Sequence, residues 1–313
     1  MRNMTNKYRT ANDLVRIQQI ENFYASFLKY VKCIFANVTS RDALDIRPIA
    51  GWIKMLCDIV RNDCCFLMRA MFHAKHTDDE NYLFSHMARA TIVAMNIGTY
   101  LKLPNHRLIE LGIATLLHDI GMLTLPPELY LNDQALTEAG KKLINYHPIQ
   151  SSKLLQSCNY PPLINTAVRE HHEREDASGY PLNLSGDKIS LYAKIIAVAC
   201  SYEALSAKRP HKEAKEHYRG ILELLKNEGK RYDGRVIRAL VYSLSIYPIG
   251  QRVLLSDGRK GEVIDINPQD PRYPVVQIFE DIQSNKDKKI IIQTSSKSLS
   301  IVQPLSGEEV MAQ

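Results

Sequence analysis

The chain has 313 residues, 45% of them apolar, which is enough for one large core plus a small second unit and excludes a disordered protein. No window reaches the roughly 18 uninterrupted apolar residues of a membrane span, and the N-terminus lacks an apolar run of signal-peptide length, so a cytoplasmic protein with no membrane partner is expected. The net charge of +6 comes without a long basic run; charge alone selects no ligand, and no nucleic-acid polymer is expected as a partner.

From about Ala11 to His73 two helical patterns follow one another. Leu14, Ile17, Ile20, Phe23, Phe27 and Val31 mark the first; Ile49, Ile53, Leu56, Ile59 and Phe66 mark the second, with Pro48 near its start, where proline is tolerated. This stretch, residues 1–75, reads as an N-terminal helical hairpin that packs on its neighbour or forms a dimer surface. Between residues 76 and 247 the helical pattern continues over Tyr82–Leu101, His106–His118, Thr137–Leu155, Pro161–His172 and Ile189–Ser206, with two more helices beyond Ala214. The turns LPN, LPPE and NYPP punctuate them.

After Pro248 the period falls from 3.6 to 2. The runs RVLLS, GEVIDI, PVVQIF, KKIIIQT and SIV, separated by SDGRKG and NPQDPRYP, predict short strands, and residues 248–313 read as a small β-barrel-like domain with no catalytic signature. The fold class expected is therefore mainly α, a helical bundle preceded by a hairpin and followed by a small β unit. The six cysteines (Cys33, Cys57, Cys64, Cys65, Cys158, Cys200) show no CxxC spacing, which predicts reduced, mostly buried thiols and no disulfide framework.

Five of the ten histidines stand in a distinctive order: His86, His118 followed by Asp119, His147, then adjacent His171 and His172. Histidine and carboxylate are natural ligands for divalent metal at neutral pH. His86 shares a helix face with Tyr82, Ala90, Val93 and Ile97, which turns it inward. A single inward histidine reads as a hydrogen-bonded core residue, whereas five with an aspartate exceed what a core needs.

The order HDIG, YHP, HHEREDASGYP, AKIIAVACSYEALSAKRPHK resembles the HD-GYP domain, the bacterial branch of the HD hydrolases that linearises cyclic di-GMP. The resemblance covers about His76 to Tyr247, and HHEREDASGYP at this distance from HDIG is its specific part. It implies an HD-type helical bundle in which His86, His118, Asp119, His147, His171 and His172 hold two divalent transition metals, iron or manganese being favoured and zinc an alternative, with Asp119 bridging. His118 and Asp119 would then serve catalysis: cations roughly 3.5–4 Å apart lower the pKa of a water and hold phosphate oxygens for in-line attack that expels the ribose 3′ oxygen. Arg209 and Lys212 match positions that contact the ligand's phosphates, and Gly179, Tyr180 and Pro181 match a loop implicated in contacts with substrate and with a partner such as a GGDEF-type cyclase. A homodimer is compatible with the pattern.

Three departures bear on activity. Where the family follows HDIG with a lysine, this chain has Met122, and losing one such stabilising group costs about 10²–10³ in rate. Where the family has a last ligand aspartate the chain has Cys200, which either binds metal as thiolate or is a small core residue on the face of Ile189, Tyr192 and Ile196; Glu203, one turn on, is an alternative ligand that more closely matches a second acidic position of the family. Tyr82 stands where some members carry a glutamate for a third metal, so two metals or fewer are expected. An attenuated cyclic di-GMP phosphodiesterase and a degenerate receptor or scaffold both follow from this pattern; a hydrolase of another phosphoester fits the GYP segment less well.

Overall fold

A computed structural model describes residues 11–38, 44–73, 82–131, 137–206, 217–279 and 290–305. Helices α1 (Ala11–Ala36) and α2 (Ile46–His73) form the hairpin. The helical repeat of α1 turns Ile20, Tyr24, Phe27 and Val31 inward, against Ile49, Ile53, Leu56 and Val60 of α2. Trp52 of α2 lies among Phe23, Phe27 and Tyr30 of α1 with ring centroids 5.0–6.1 Å apart. Arg16 adds an ion pair to Asp63, where non-helical backbone angles kink α2. The hairpin does not stand apart: it packs on α3 (Tyr82–Tyr100) and on α4 (Asn105–Leu116).

α3 and α9 (Leu191–Ser206) are the central pair, in contact along much of their length. Both are buried nearly all round, α3 from His86 to Gly98 with Arg89 half-buried and α9 from Tyr192 to Cys200. A helix apolar on every side belongs in a core. Around them lie the short α5 (Glu128–Leu131), α6 (Glu138–Asn145), α7 (His147–Ser157), α8 (Pro162–Glu170), α10 (His217–Lys226) and α11 (Gly234–Leu244). The single helix expected over Thr137–Leu155 is two, broken at Tyr146. Pro148 has no N–H to give to the preceding turn and sits instead in the first turn of α7, where none is needed. Thr137 caps α6 through Gly140 N–H at 3.1 Å.

The C-terminal strands β1 (Arg252–Leu255), β2 (Lys260–Asp265), β3 (Val275–Ile278), β4 (Ile291–Gln293) and β5 (Ile301–Pro304) pair antiparallel in the order β4-β3-β2-β1-β5. Alternation holds along β1, where Val253 and Leu255 are buried; β2 and β3 also bury consecutive residues, Val263 with Ile264 and Val275 with Val276, and β4 and β5 bury none. The barrel expectation gives way to an open sheet, because β4 and β5 stay at opposite edges and do not pair among the described residues. The sheet meets the helical body through β2 against α2, where the Cys65 thiol donates to Asp265. All six cysteines are free thiols; Cys57, Cys65 and Cys200 are buried, Cys64 and Cys158 half-buried and Cys33 exposed, so half of them rather than most are fully buried. Among the described residues no helix is long and apolar enough to cross a membrane.

Candidate metal centre

Five elements bring the histidines and Asp119 together. α3 supplies His86, and the end of α4 runs into a turn that presents His118 and Asp119 before a 3-10 segment, Ile120–Thr124. His147 opens α7, and His171 and His172 follow the last residue of α8. Gly121 lets the segment after Asp119 lie directly on α7: a Cβ there would stand 2.5 Å from the His147 carbonyl oxygen and 2.6 Å from Ser151 N. Its own N–H donates to Ser151 Oγ at 2.8 Å. The glycine of HDIG thus sets the spacing between Asp119 and His147.

The side chains are oriented by their own backbone. His118 Nδ1 lies 2.7 Å from the Thr115 carbonyl, His147 Nδ1 2.6 Å from that of Ile144, and His171 Nδ1 2.7 Å from that of Val168. A carbonyl only accepts, so each Nδ1 carries a hydrogen and, whenever the ring is neutral, Nε2 is left with a lone pair. Those lone pairs converge. His147 Nε2 and His171 Nε2 are 3.3 Å apart, and they lie 3.0 and 3.4 Å from Asp119 Oδ1. Oδ1 is buried with no hydrogen-bond partner. Three acceptors facing one another repel unless a cation lies among them, so the donor set fits a metal ion.

Asp119 turns its other oxygen to a second group. Oδ2 is 3.2 Å from His118 Nε2 and 3.7 Å from His86 Nε2, and Cys200 Sγ is 3.2 Å from His118 Nε2. The ligand atoms of His86, His118 and Cys200 lie within 4.8 Å of one another, as do those of Asp119, His147, His171 and His172. Asp119 therefore faces two clusters, one with each oxygen. Cys200 is in the second of them and is at the same time a buried member of the hydrophobic core.

Electrostatics follow from this crowding. Burial opposes charge on both His118 and Asp119, but their mutual attraction outweighs it, with Cys200 helping at His118, which holds the imidazole well above and the carboxylate well below their ordinary values. Burial drives His171 down to about 3, partly offset by Asp119, and with His171 and His147 nearby it drives His172 down as well, so both stay neutral and able to ligate. Burial raises the Cys200 thiol, yet His118 and then His86 bring it to about 7, towards the thiolate a metal needs.

These groups line a cavity of about 280 Å³. Met122 and Tyr82 lie on its wall, so the position after HDIG contributes an apolar thioether and no charge. Of the GYP residues, Tyr180 lines the cavity and stacks on His172 at 4.6 Å between centroids. Gly179 sits behind it, where a Cβ would meet the His172 carbonyl oxygen at 2.4 Å, and Pro181 follows through a cis peptide bond. Arg209 and Lys212 lie outside the described residues. Two carboxylates shape the site, Glu173, which sequence reasoning passed over, and Glu203, which it offered as an alternative ligand. Glu173, in the HHE run, accepts from the N–H groups of Leu182 and Leu184 at 2.6 and 2.9 Å and so clamps the GYP loop. Glu203 is not in either cluster; it bonds Nδ1 of His86 and leaves Nε2 for the centre.

Comparisons with known proteins identify the family. The sequence pattern of the HD domain matches residues 75–236. A Pseudomonas aeruginosa protein named cyclic di-GMP phosphodiesterase is 32% identical over 251 residues, 80% of this chain and 59% of its own length. A Borreliella burgdorferi protein of the same name is 30% identical over 196 residues, 63% of this chain and 52% of its own; the chain thus spans a little over half the length of these relatives. Among solved structures an HDG"Y"P protein from Bdellovibrio bacteriovorus has the same fold, with TM-score 0.59 at 14% identity, covering 77% of this chain and 80% of that one.

Proposed function

Because the chain belongs to the HD-GYP branch of the HD-domain family, we propose that it is a metal-dependent phosphodiesterase that opens cyclic di-GMP to a linear dinucleotide at an attenuated rate. The observation that carries this reading is the pair of clusters meeting at Asp119, with Oδ1 buried and unpartnered among imidazole lone pairs. His86, His118 and Cys200 on one side and His147, His171 and His172 on the other would hold two divalent cations, iron or manganese before zinc, with Asp119 between them. When bound, such cations supply Lewis-acid charge to phosphate oxygens and make a water nucleophilic at neutral pH.

The chain's own part is positioning. The three Nδ1-to-carbonyl bonds fix the imidazoles before any ligand arrives, so little order is created during reaction. In the hydrolysis a water oxygen bonds to phosphorus, the bond from phosphorus to the ribose 3′ oxygen breaks, and a proton passes to that leaving oxygen. Tyr180 and His172 offer a stacked wall to the ligand, and Arg209 and Lys212 add phosphate contacts. Attenuation rests on Met122, which brings no cation to the phosphate; the same residue favours the second reading, a cyclic di-GMP receptor or scaffold. In this proposal residues 76–247 form the catalytic unit of a cytoplasmic protein, flanked by the hairpin 1–75 and the β unit 248–313. The GYP loop is the surface for a cyclase-type partner, and a homodimer is one assembly it permits.

The test is metal analysis of protein purified without chelator, with cyclic di-GMP turnover followed on the same sample. About two metals per chain and a linear product are expected, and Asp119→Ala is expected to lower both. Ligand binding with neither metal nor product would sink the enzyme in favour of the receptor.

A further inference from the structure

Arg174 is the sole lysine or arginine among the described residues that line the cavity. It stands two residues after His172, and its guanidinium is fixed in place. Nη1 donates to the carbonyls of His171 and Glu173 at 3.3 and 2.8 Å, and the group lies 5.1 Å above the Tyr232 ring. None of these partners is a carboxylate, so its charge is not neutralised by them. Nε is buried and has no hydrogen-bond partner among the described residues. A buried donor left unpaired is costly, and a planar guanidinium with donors to spare matches the oxygens of a phosphate. The charge reaches His172 and Tyr180, the two stacked rings that close this side of the cavity.

We propose that Arg174 is the phosphate-binding cation of this cavity, meeting the non-bridging oxygens of the cyclic dinucleotide's phosphodiester and supplying the charge that Met122 does not. The inference deepens the phosphodiesterase reading and rests on it for the identity of the ligand. The geometry gives Arg174 a second task, bracing the turn that carries His171 and His172, and the experiment has to separate the two.

Calorimetric binding of cyclic di-GMP to the manganese-loaded full chain makes that separation, with metal content measured on every sample. Arg174→Met is expected to weaken binding roughly 10- to 100-fold with metal content unchanged. Should that variant fold poorly, Arg174→Gln, which keeps donors for the two carbonyls but loses the charge, is expected to show the same loss. Adding Met122→Lys to either variant is expected to recover most of the affinity, since it returns a cation to the same cavity. Unchanged affinity in the single variants overturns the proposal. Loss of metal together with affinity, or no recovery with Met122→Lys, also overturns it and leaves Arg174 a brace. Failure of the unsubstituted protein to bind removes the cyclic di-GMP reading and this inference with it, whereas binding without turnover sinks the enzyme alone.

Discussion

Glu203 accepts the Nδ1 hydrogen of His86 across the interface between α3 and α9. The carboxylate fixes the tautomer of His86 and aims Nε2 at Asp119, and it is itself approached by Arg89 Nη1 at 3.9 Å, whose Nε lies 3.5 Å from the Tyr24 hydroxyl on α1. A carboxylate behind a ligating imidazole makes it a better donor, and its loss typically lowers metal affinity about 10- to 100-fold. Glu203→Gln is therefore expected to weaken metal binding by about that factor, read by chelator competition. An affinity equal to that of the unsubstituted protein would show that His86 needs no such partner.

Met122→Lys combined with Cys200→Asp is expected to raise cyclic di-GMP hydrolysis by about 10- to 1,000-fold, one change adding a phosphate cation and the other a carboxylate ligand. Both side chains lie on the cavity wall, so there is room for the exchange. If the centre holds metal, the melting temperature stays near its original value. If it does not, the new aspartate is a buried charge without a partner and costs about a few kcal/mol, visible as a lowered melting temperature with no gain in product.

Alanine at both Arg209 and Lys212 is expected to weaken cyclic di-GMP binding whether or not the ligand is cleaved, each desolvated phosphate contact contributing about 1.5–3 kcal/mol. Calorimetry on the metal-loaded protein reads this directly. Affinity unchanged within error would place the ligand away from the segment after α9.

Gly121→Ala and Gly179→Ala are expected to destabilise the fold by about 2–4 kcal/mol each, because in both cases the new Cβ meets backbone rather than a flexible side chain. The two should differ in what else they disturb. Gly121→Ala presses on His147 and is expected to lower metal content, while Gly179→Ala presses on the turn at His172 and Glu173 and is expected to move the GYP loop. Denaturant melts and metal analysis of the two variants distinguish these outcomes.

The inner strands β1, β2 and β3 were legible because they bury apolar residues, and alternation such as Val253 and Leu255 records a buried face directly. Whether the sheet closes was not, since closure depends on pairing between β4 and β5, and alternation within a strand carries no information about it. The positions of His86 and Asp119 could be read from helical period and order in the chain. The part played by Glu203 could not: an acid one turn after Cys200 looks the same as a ligand or as a partner to a ligand, and only the packing of α3 on α9 decides which nitrogen of His86 it meets. The break at Tyr146 was signalled by Pro148 but was hidden by an apolar pattern that runs on through it.

The bond from Cys65 to Asp265 joins residues 200 positions apart, which gives the hairpin a timetable. During synthesis at about 5–20 residues per second, Cys65 emerges on the order of 10–40 s before Asp265 exists to receive it. Every helix that carries a ligand of the metal centre is made in that interval. The hairpin can dock on α3 early, through its aromatic and aliphatic stripes, but its thiol clasp closes only after the nascent chain has delivered the second strand. A ribosome stalled before that strand would hold a helical bundle complete in its ligands but still unfastened.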